Sequence, residues 1–384
     1  MKRITALILA LSVVIPLLWS IDSNLVLFMY DAYKTKVSTI SAVATDDTRR
    51  IFNLDATPLE GKTVWITGSS SGIGAELAIQ LASAGVGHII LSARRVEKLE
   101  QVAKACRESQ MKRASALGEE RKMGISIVPF ELGDVQMLDK AVEHALQAAP
   151  ESGIDIIILN AGQYHCGPAL ETNDNVLPHL VQVNFVSPVQ LAQKLILRDR
   201  WKERQYGHVV AISSMMGRGP VPLNAPYAAS KHALVGYFHS LAAEENSWLR
   251  VDVVLPGATN TELWSASWNS KNEDASETTS IRQLQADDRS KMPVQRCAQL
   301  IISTIIGPAY LIFNESWITL NPGLLWVYLV THAPCAFHVM NNMIISPIRL
   351  GMWERNGEDA LYLPTMLQYV METFIDNVTG RSKS

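Results

Sequence analysis

The chain has 384 residues, a formal net charge of −3 and 48% hydrophobic residues, a near-neutral balance that gives no reason to expect a nucleic-acid partner. Its length suits one large domain with additions, or two small ones. Cys106, Cys166, Cys297 and Cys335 show no C-x-x-C or Cys/His spacing and imply neither a disulfide framework nor a metal site.

Lys2 and Arg3 precede an apolar run from Ile4 to Ile21, and a second apolar stretch runs from Leu25 to Tyr30. A run of about 18 apolar residues just spans a bilayer as a helix. An uncleaved membrane anchor is expected, with a cleaved signal peptide or a helix docked on a soluble fold as alternatives. Lys2 and Arg3 favour a cytosolic N-terminus and a lumenal remainder, whereas Lys34 and Lys36 weaken that orientation. Asn314 and Asn377 stand in glycosylation sequons that agree with a lumenal remainder.

After a polar linker (45–62), the spacing predicts a strand at Thr63–Thr67, a helix at Gly72–Ala84 and a strand at His88–Ser92, a β-α-β unit. The turn holds Gly68, Gly72 and Gly74 as G-x-x-x-G-x-G, with Ser70, Ser71 and Ile73 between them. Glycines let a backbone approach a pyrophosphate, and the helix N-terminus offers free N–H groups to it. These six residues are therefore candidate cofactor contacts. An acidic residue at the end of the second strand would hold a ribose 2′-hydroxyl and repel a 2′-phosphate. Ala93 stands there instead, followed by Arg94 and Arg95. A guanidinium matches a phosphate fork, so NADP(H) is expected over NAD(H), with Arg94 at the phosphate and Arg95 solvated at a helix start.

A third strand is expected at Ile125–Phe130, before Leu132-Gly133-Asp134-Val135, where Asp134 suits a helix N-cap. A fourth, Ile154–Leu159, ends in Asn160-Ala161-Gly162. Asn184 lies in an apolar helical stretch and needs a polar partner. A strand at His208–Ile212 leads to Ser213 and Ser214, and a helix is expected from Tyr227 to about Glu245. A final strand, Val251–Leu255, ends at Pro256-Gly257-Ala258-Thr259.

Tyr227 and Lys231 are four apart and share a helix face. A free phenol has a pKa of about 10, and bringing it near neutrality takes about 4 kcal/mol of differential interaction, within reach of a close cation. Such a phenol can exchange a proton near neutral pH. A hydroxyl at Ser214 can hydrogen-bond a carbonyl oxygen that is gaining charge, and Ser213 is expected to support the backbone.

These motifs, in this order, resemble the short-chain dehydrogenase/reductase superfamily over roughly Gly61 to Thr261. The resemblance implies a catalytic set of Asn184, Ser214, Tyr227 and Lys231, with Lys231 also gripping ribose hydroxyls beside Tyr227. It implies adenine contact by Asp134, and nicotinamide-side contacts from Asn160, Ala161, Gly162, Pro256, Gly257 and Thr259. In the family the Asn carbonyl holds a water that extends a proton path to the Lys. Leu159 departs from the family's N-N-A-G, although N-A-G is kept. The polar segment from Leu263 to Met292, with Trp264 and Trp268 at its start, matches the family's mobile substrate lid.

The order of features down to the aromatic tail is similar to the microsomal dehydrogenase/reductase member 7 branch. That similarity implies an endoplasmic reticulum location and a lipophilic carbonyl or alcohol, such as a retinoid, steroid or xenobiotic ketone.

The expected fold is α/β: a doubly wound parallel sheet of order 3-2-1-4-5-6, with a seventh strand also expected. Residues 1–44 are expected to form the anchor and its flank, 45–312 the nucleotide-binding catalytic domain, and 313–384 a helical extension. Within the last, Trp317–Trp353 is read as a buried or membrane-interface helical segment. The expected function is NADP(H)-dependent interconversion of a carbonyl and an alcohol, with membrane lipid and a second copy as further partners. The rivals are a non-catalytic nucleotide-binding scaffold and an extended-type epimerase or dehydratase, whose turn reads G-x-x-G-x-x-G.

Overall fold

The fold comes from a computed structural model that describes residues 23, 27–32, 59–118, 123–219, 221–245, 247–263, 268–269, 291–307, 315–319 and 330. The run Ile4–Ile21, the sequon asparagines Asn314 and Asn377 and almost all of the tail lie outside them. Among the described residues no helix is long and apolar enough to cross a membrane.

In chain order the main elements are β1 (Thr63–Thr67), α1 (Gly72–Ser83), β2 (His88–Ser92), α2 (Val96–Leu117), β3 (Gly124–Ile127), α3 (Met137–Ala148) and β4 (Ile156–Leu159). Next come α4 (Val176–Val181), a π-helical turn (Gln182–Val186), α5 (Ser187–Arg198), β5 (Gly207–Ile212), α6 (Ala225–Glu244), β6 (Leu249–Pro256), α7 (Val294–Ile306) and β7 (Glu315–Ile318). The seven strands form one parallel sheet of order β3-β2-β1-β4-β5-β6-β7. That is the order expected from the sequence, with the seventh strand present.

Strands covered on both faces read as continuous apolar runs rather than alternating ones. TVWIT in β1, IIIL in β4 and GHVVAI in β5 are buried at every position. Successive side chains still point to opposite faces. Trp65, Ile90, Ile157 and Val209 enter one core with α3, α5 and α6. Val64, Ile66, Ile89, Leu91 and Ile158 enter the other with α1, α2 and α7.

The domain draws on residues outside the expected limits of 45–312. Trp317 and Ile318, expected in the helical extension, belong to β7. Their main-chain groups complete the ladder beside β6, from Val253↔Glu315 to Pro256↔Ile318. Near the other end of the chain, Leu27 is fully buried in the α1/α7 core. Asp31 accepts hydrogen bonds from Arg296 (2.8 Å) and Ser303 (2.9 Å) on α7, and Ser23 pairs antiparallel with Ile318. The helical segment 27–32 therefore docks against α7.

Other differences are at element ends. β3 stops at Ile127, short of Phe130, while Val128 N–H still donates to the Leu91 carbonyl. β6 is longer than predicted at both ends.

Trp65 spans the sheet–helix layer: it is fully buried, its indole N–H donates to the Ser92 hydroxyl at 2.8 Å, and its ring meets Phe130 at 6.3 Å. Trp65→Ala should destabilise the fold by about 3–5 kcal/mol, read as a lower urea midpoint with an unchanged slope.

Candidate active site

The site lies at the carboxyl ends of β1, β4, β5 and β6, where side chains from different loops converge. Gly68 follows β1 with φ +65°, a left-handed conformation that suits glycine, and a Cβ there would lie 2.7 Å from Ala161 Cα. At Gly74 a Cβ would lie 2.5 Å from both the Gly68 carbonyl oxygen and Asn160 Nδ2. The Asn160 amide donates to the Thr67 and Gly68 carbonyls (3.1 and 3.2 Å), and Ala161 N–H donates to Thr67 Oγ1 (3.1 Å). Asn160 and Ala161 therefore bolt the turn to the end of β4. Ile73 packs partly into the core, and Ser70 and Ser71 face outward.

Both arginines have partners on this side of the sheet. Arg94 pairs with Glu131 at 3.2 Å. Arg95, expected to be solvated, reaches back over the turn and donates from Nη2 to the hydroxyls of Ser70 (3.2 Å) and Ser71 (3.0 Å). Its backbone is extended at the N-cap of α2, which directs the side chain toward the glycines rather than along the helix. Glu262, arriving from the loop after β6, pairs with Arg95 (3.7 Å) and Lys98 (3.2 Å).

Asp134 accepts from Gln136 N–H at 3.0 Å, a turn bond; the N-cap of α3 is Gln136, so Asp134 is not the N-cap expected from the sequence. Gly257 N–H donates to the Ile318 carbonyl (2.8 Å), which holds the Pro256–Gly257 corner to β7. The Thr259 hydroxyl donates to the Gly257 carbonyl (3.2 Å) and is buried.

The four expected catalytic residues come together. Ser214 caps a short 3₁₀ turn, where its Oγ accepts from Met216 N–H at 3.2 Å, and its hydroxyl is a hydrogen-bond partner of the Tyr227 phenol. Ser213 supports the backbone as expected, donating to the Lys231 carbonyl at 3.1 Å. Lys231 Nζ donates to the Ile212 carbonyl at 3.0 Å and lies 5.9 Å from the Tyr227 ring centroid.

Asn184 sits in the π-helical turn, a distortion frequent at functional sites. Its Oδ1 accepts from Gln163 N–H (2.8 Å), and its Nδ2 donates to the Gln163 carbonyl (2.9 Å) and Ser230 Oγ (3.0 Å). A Cβ on Gly162 would lie 3.0 Å from Asn184 Oδ1 and 3.4 Å from Lys231 Nζ, so Gly162 touches both.

The expected lowering of the Tyr227 pKa is corrected. Burial pushes the phenol up to about 12, against the opposing Ser214 hydrogen bond, and burial lowers Lys231 to about 8. Desolvation disfavours the charged form of each group, and the ammonium is directed at Ile212 rather than at the phenol oxygen.

The turn fits a dinucleotide phosphate: two glycines open the backbone, two hydroxyls and a guanidinium flank it, and Ala93 puts no carboxylate at the end of β2.

A family model described as short chain dehydrogenase matches residues 62–272. The chain belongs to the short-chain dehydrogenase family. As a member it is an oxidoreductase acting on alcohol and carbonyl groups.

Dehydrogenase/reductase SDR family member 7 of Mus musculus is 32% identical to it over 278 residues, covering 72% of this chain and 75% of the mouse protein. The Homo sapiens protein of that name is 32% identical over 289 residues, covering 74% and 78%. A short-chain dehydrogenase of Sphingobium yanoikuyae, solved with NADPH, covers 73% of this chain and 93% of its own at a TM-score of 0.51 and 24% identity. One from Burkholderia cenocepacia, solved with NADP, covers 73% and 97% at a TM-score of 0.54 and 20% identity.

Sequence reasoning on this short-chain dehydrogenase missed Gln163 and Ser230, the partners that satisfy Asn184. The need for a partner was legible; its identity depends on the fold. Gly74→Ala should weaken NADPH binding about tenfold or more, because overpacking against the Gly68 carbonyl displaces the turn; quenching of NADPH fluorescence measures it.

Proposed function

We propose that this dehydrogenase interconverts a carbonyl and an alcohol on a lipophilic substrate, of the retinoid, steroid or xenobiotic ketone class, by direct hydride transfer with NADP(H). The observation that carries the reading is the meeting of Ser214, Tyr227 and Lys231 at the carboxyl ends of parallel strands. Around the phenol lies a separate apolar cluster that includes Cys166, Leu180 and Leu223. Ligand clefts in doubly wound sheets lie at that end.

When bound, the reduced nucleotide supplies the hydride. Gly68, Ser70, Ser71, Gly72, Ile73 and Gly74 would form its phosphate cradle, Arg94 and Arg95 would hold a 2′-phosphate, and Asp134 would contact the adenine. Asn160, Ala161, Gly162, Pro256, Gly257 and Thr259 border the nicotinamide side. Ser214 and Tyr227 hydrogen-bond the carbonyl oxygen, and the Tyr227 hydroxyl gives it the proton.

A phenol held up to about 12 is protonated throughout the neutral range, as a donor must be. Lys231, at about 8, is still mostly ammonium at neutral pH. It acts as negative charge develops on the oxygens, when an ion in a dry site has its largest effect. Asn184, clamped by Gln163 and Ser230, keeps the Lys231 side of the site in register. Alcohol oxidation runs these proton movements backwards.

The apolar stretches 4–21 and 320–353 support a membrane-associated enzyme of the endoplasmic reticulum, in contact with lipid, and a homo-oligomer is part of the proposal. NADPH oxidation with a panel of lipophilic ketones tests it. Wild type should turn over, and Tyr227→Phe should lose roughly a hundredfold or more in kcat. Inert wild type and mutant that both still bind NADPH would instead describe a scaffold. In the same assay Arg95→Ala should raise the KM for NADPH about tenfold and leave that for NADH nearly unchanged, because a lost charge-assisted contact acts only on the 2′-phosphate.

A further inference from the structure

We infer that Tyr164 is the positioning residue for the Tyr227 phenol and the wall that selects which carbonyl compounds reach it, an inference that rests on Tyr227 being the proton donor. The two rings meet edge to face, with centroids 5.0 Å apart and planes at 70°. Edge-to-face contact is a preferred aromatic geometry, and it limits how far the Tyr227 ring can tilt. Tyr164 is itself held at its far end: Asn224 Nδ2 donates to its hydroxyl at 2.8 Å and to the His165 carbonyl at 3.0 Å.

Asn224 is also the residue from which α6 starts. Its carbonyl accepts from Ala228 N–H at 2.8 Å, and Tyr227 follows three positions on. One residue thus fixes, through its carbonyl, the start of the helix that carries the phenol and, through its side-chain amide, the ring against which the phenol leans.

The corner is locally unfavourable, which argues against incidental packing. Leu223 has φ +69°, an unusual conformation for a residue with a branched side chain. Asn224 Oδ1 is buried with no hydrogen-bond partner among the described residues. Such costs persist where the surroundings over-determine them, and they gather at functional sites. Gly167 N–H donates to the Leu223 carbonyl at 2.8 Å, tying the two segments together across the corner. Tyr164, Leu223 and Tyr227 lie in one apolar cluster, apart from the two cores that flank the sheet, and Met216 and Leu263 border it. A lipophilic ketone brought to the phenol must lie against this cluster, and Tyr164 is its largest neighbour of the reacting group.

The test uses the full chain with NADPH, cyclohexanone and a fused-ring steroid ketone. Tyr164→Phe keeps the ring and should hold kcat within about tenfold of wild type. Tyr164→Ala should lower kcat roughly tenfold to a hundredfold, as small misplacements of a reacting group do. It should leave the KM for NADPH unchanged and raise the fused-ring to cyclohexanone ratio of kcat/KM about tenfold. Tyr164→Leu, which keeps apolar bulk, gives the same ratio test should the alanine variant fail to fold.

An unchanged ratio, a Phe variant as impaired as the Ala variant, or a loss confined to the KM for NADPH overturns the inference, while activity abolished by Tyr227→Phe leaves the broader reading standing. A wild type inert to every ketone overturns that reading instead. Ketone quenching of bound NADPH fluorescence then reads the size preference directly, and a preference that Tyr164→Ala does not alter overturns the wall.

Discussion

A buried cation sets the arrangement of the candidate site. Lys231 is 4% exposed, and its ammonium donates to the last carbonyl of β5, Ile212, at 3.0 Å. One residue further along, Ser213 returns the link by donating to the Lys231 carbonyl. Strand and helix are thus laced in both directions within two residues. A buried charge is costly unless it is hydrogen-bonded, so α6 has one low-energy seat against β5. The positions of Tyr227, one helical turn earlier, and of Ser214, the residue after Ser213, are set by that seat. Gly217 belongs to the same joint: a Cβ there would lie 2.6 Å from Ser213 Oγ and 2.9 Å from the Lys231 carbonyl oxygen.

The sheet was legible in the sequence because parallel strands covered on both faces carry unbroken apolar runs, and a glycine-marked turn announced the first crossover. β7 was not. ESWI precedes a long apolar tail in the sequence, and only pairing with β6 distinguishes the strand from that tail. The residue types of the site were legible too, since chemistry restricts them. Their electrostatics were not. Four-residue spacing puts Tyr227 and Lys231 on one face, but it says nothing of how dry that face is, and here burial decides both titrations. Arg95 was misplaced for a related reason: the side-chain direction at a helix start depends on the extended N-cap backbone, which residue identity does not reveal.

The π-helical turn at Gln182–Val186 connects these two levels. An extra residue in the turn rotates the following helix relative to the preceding one, so α4 and α5 keep separate packing duties. Leu180 lines the apolar cluster near the phenol, while Leu191 and Leu195 fill the core under the sheet. Asn184, at the centre of the turn, is fully buried and meets Gln163 and Ser230 with its amide. The irregular turn thus delivers one polar side chain to partners on two other segments.

The bridge between Ser23 and Ile318 has a directional meaning. Because the pairing is antiparallel, the chain arrives at Ser23 from the same end of the sheet toward which it departs from Ile318. That end is the carboxyl end of β7, and Thr319 there crowds the space a Cβ on Gly257 would need. The segments that carry Ser23 and Ile318 are thus joined at one edge of the sheet, beside the Pro256–Gly257 corner. The main chain at Gly257 therefore depends on a carbonyl much later in the sequence and, through the bridge, on a residue near its beginning.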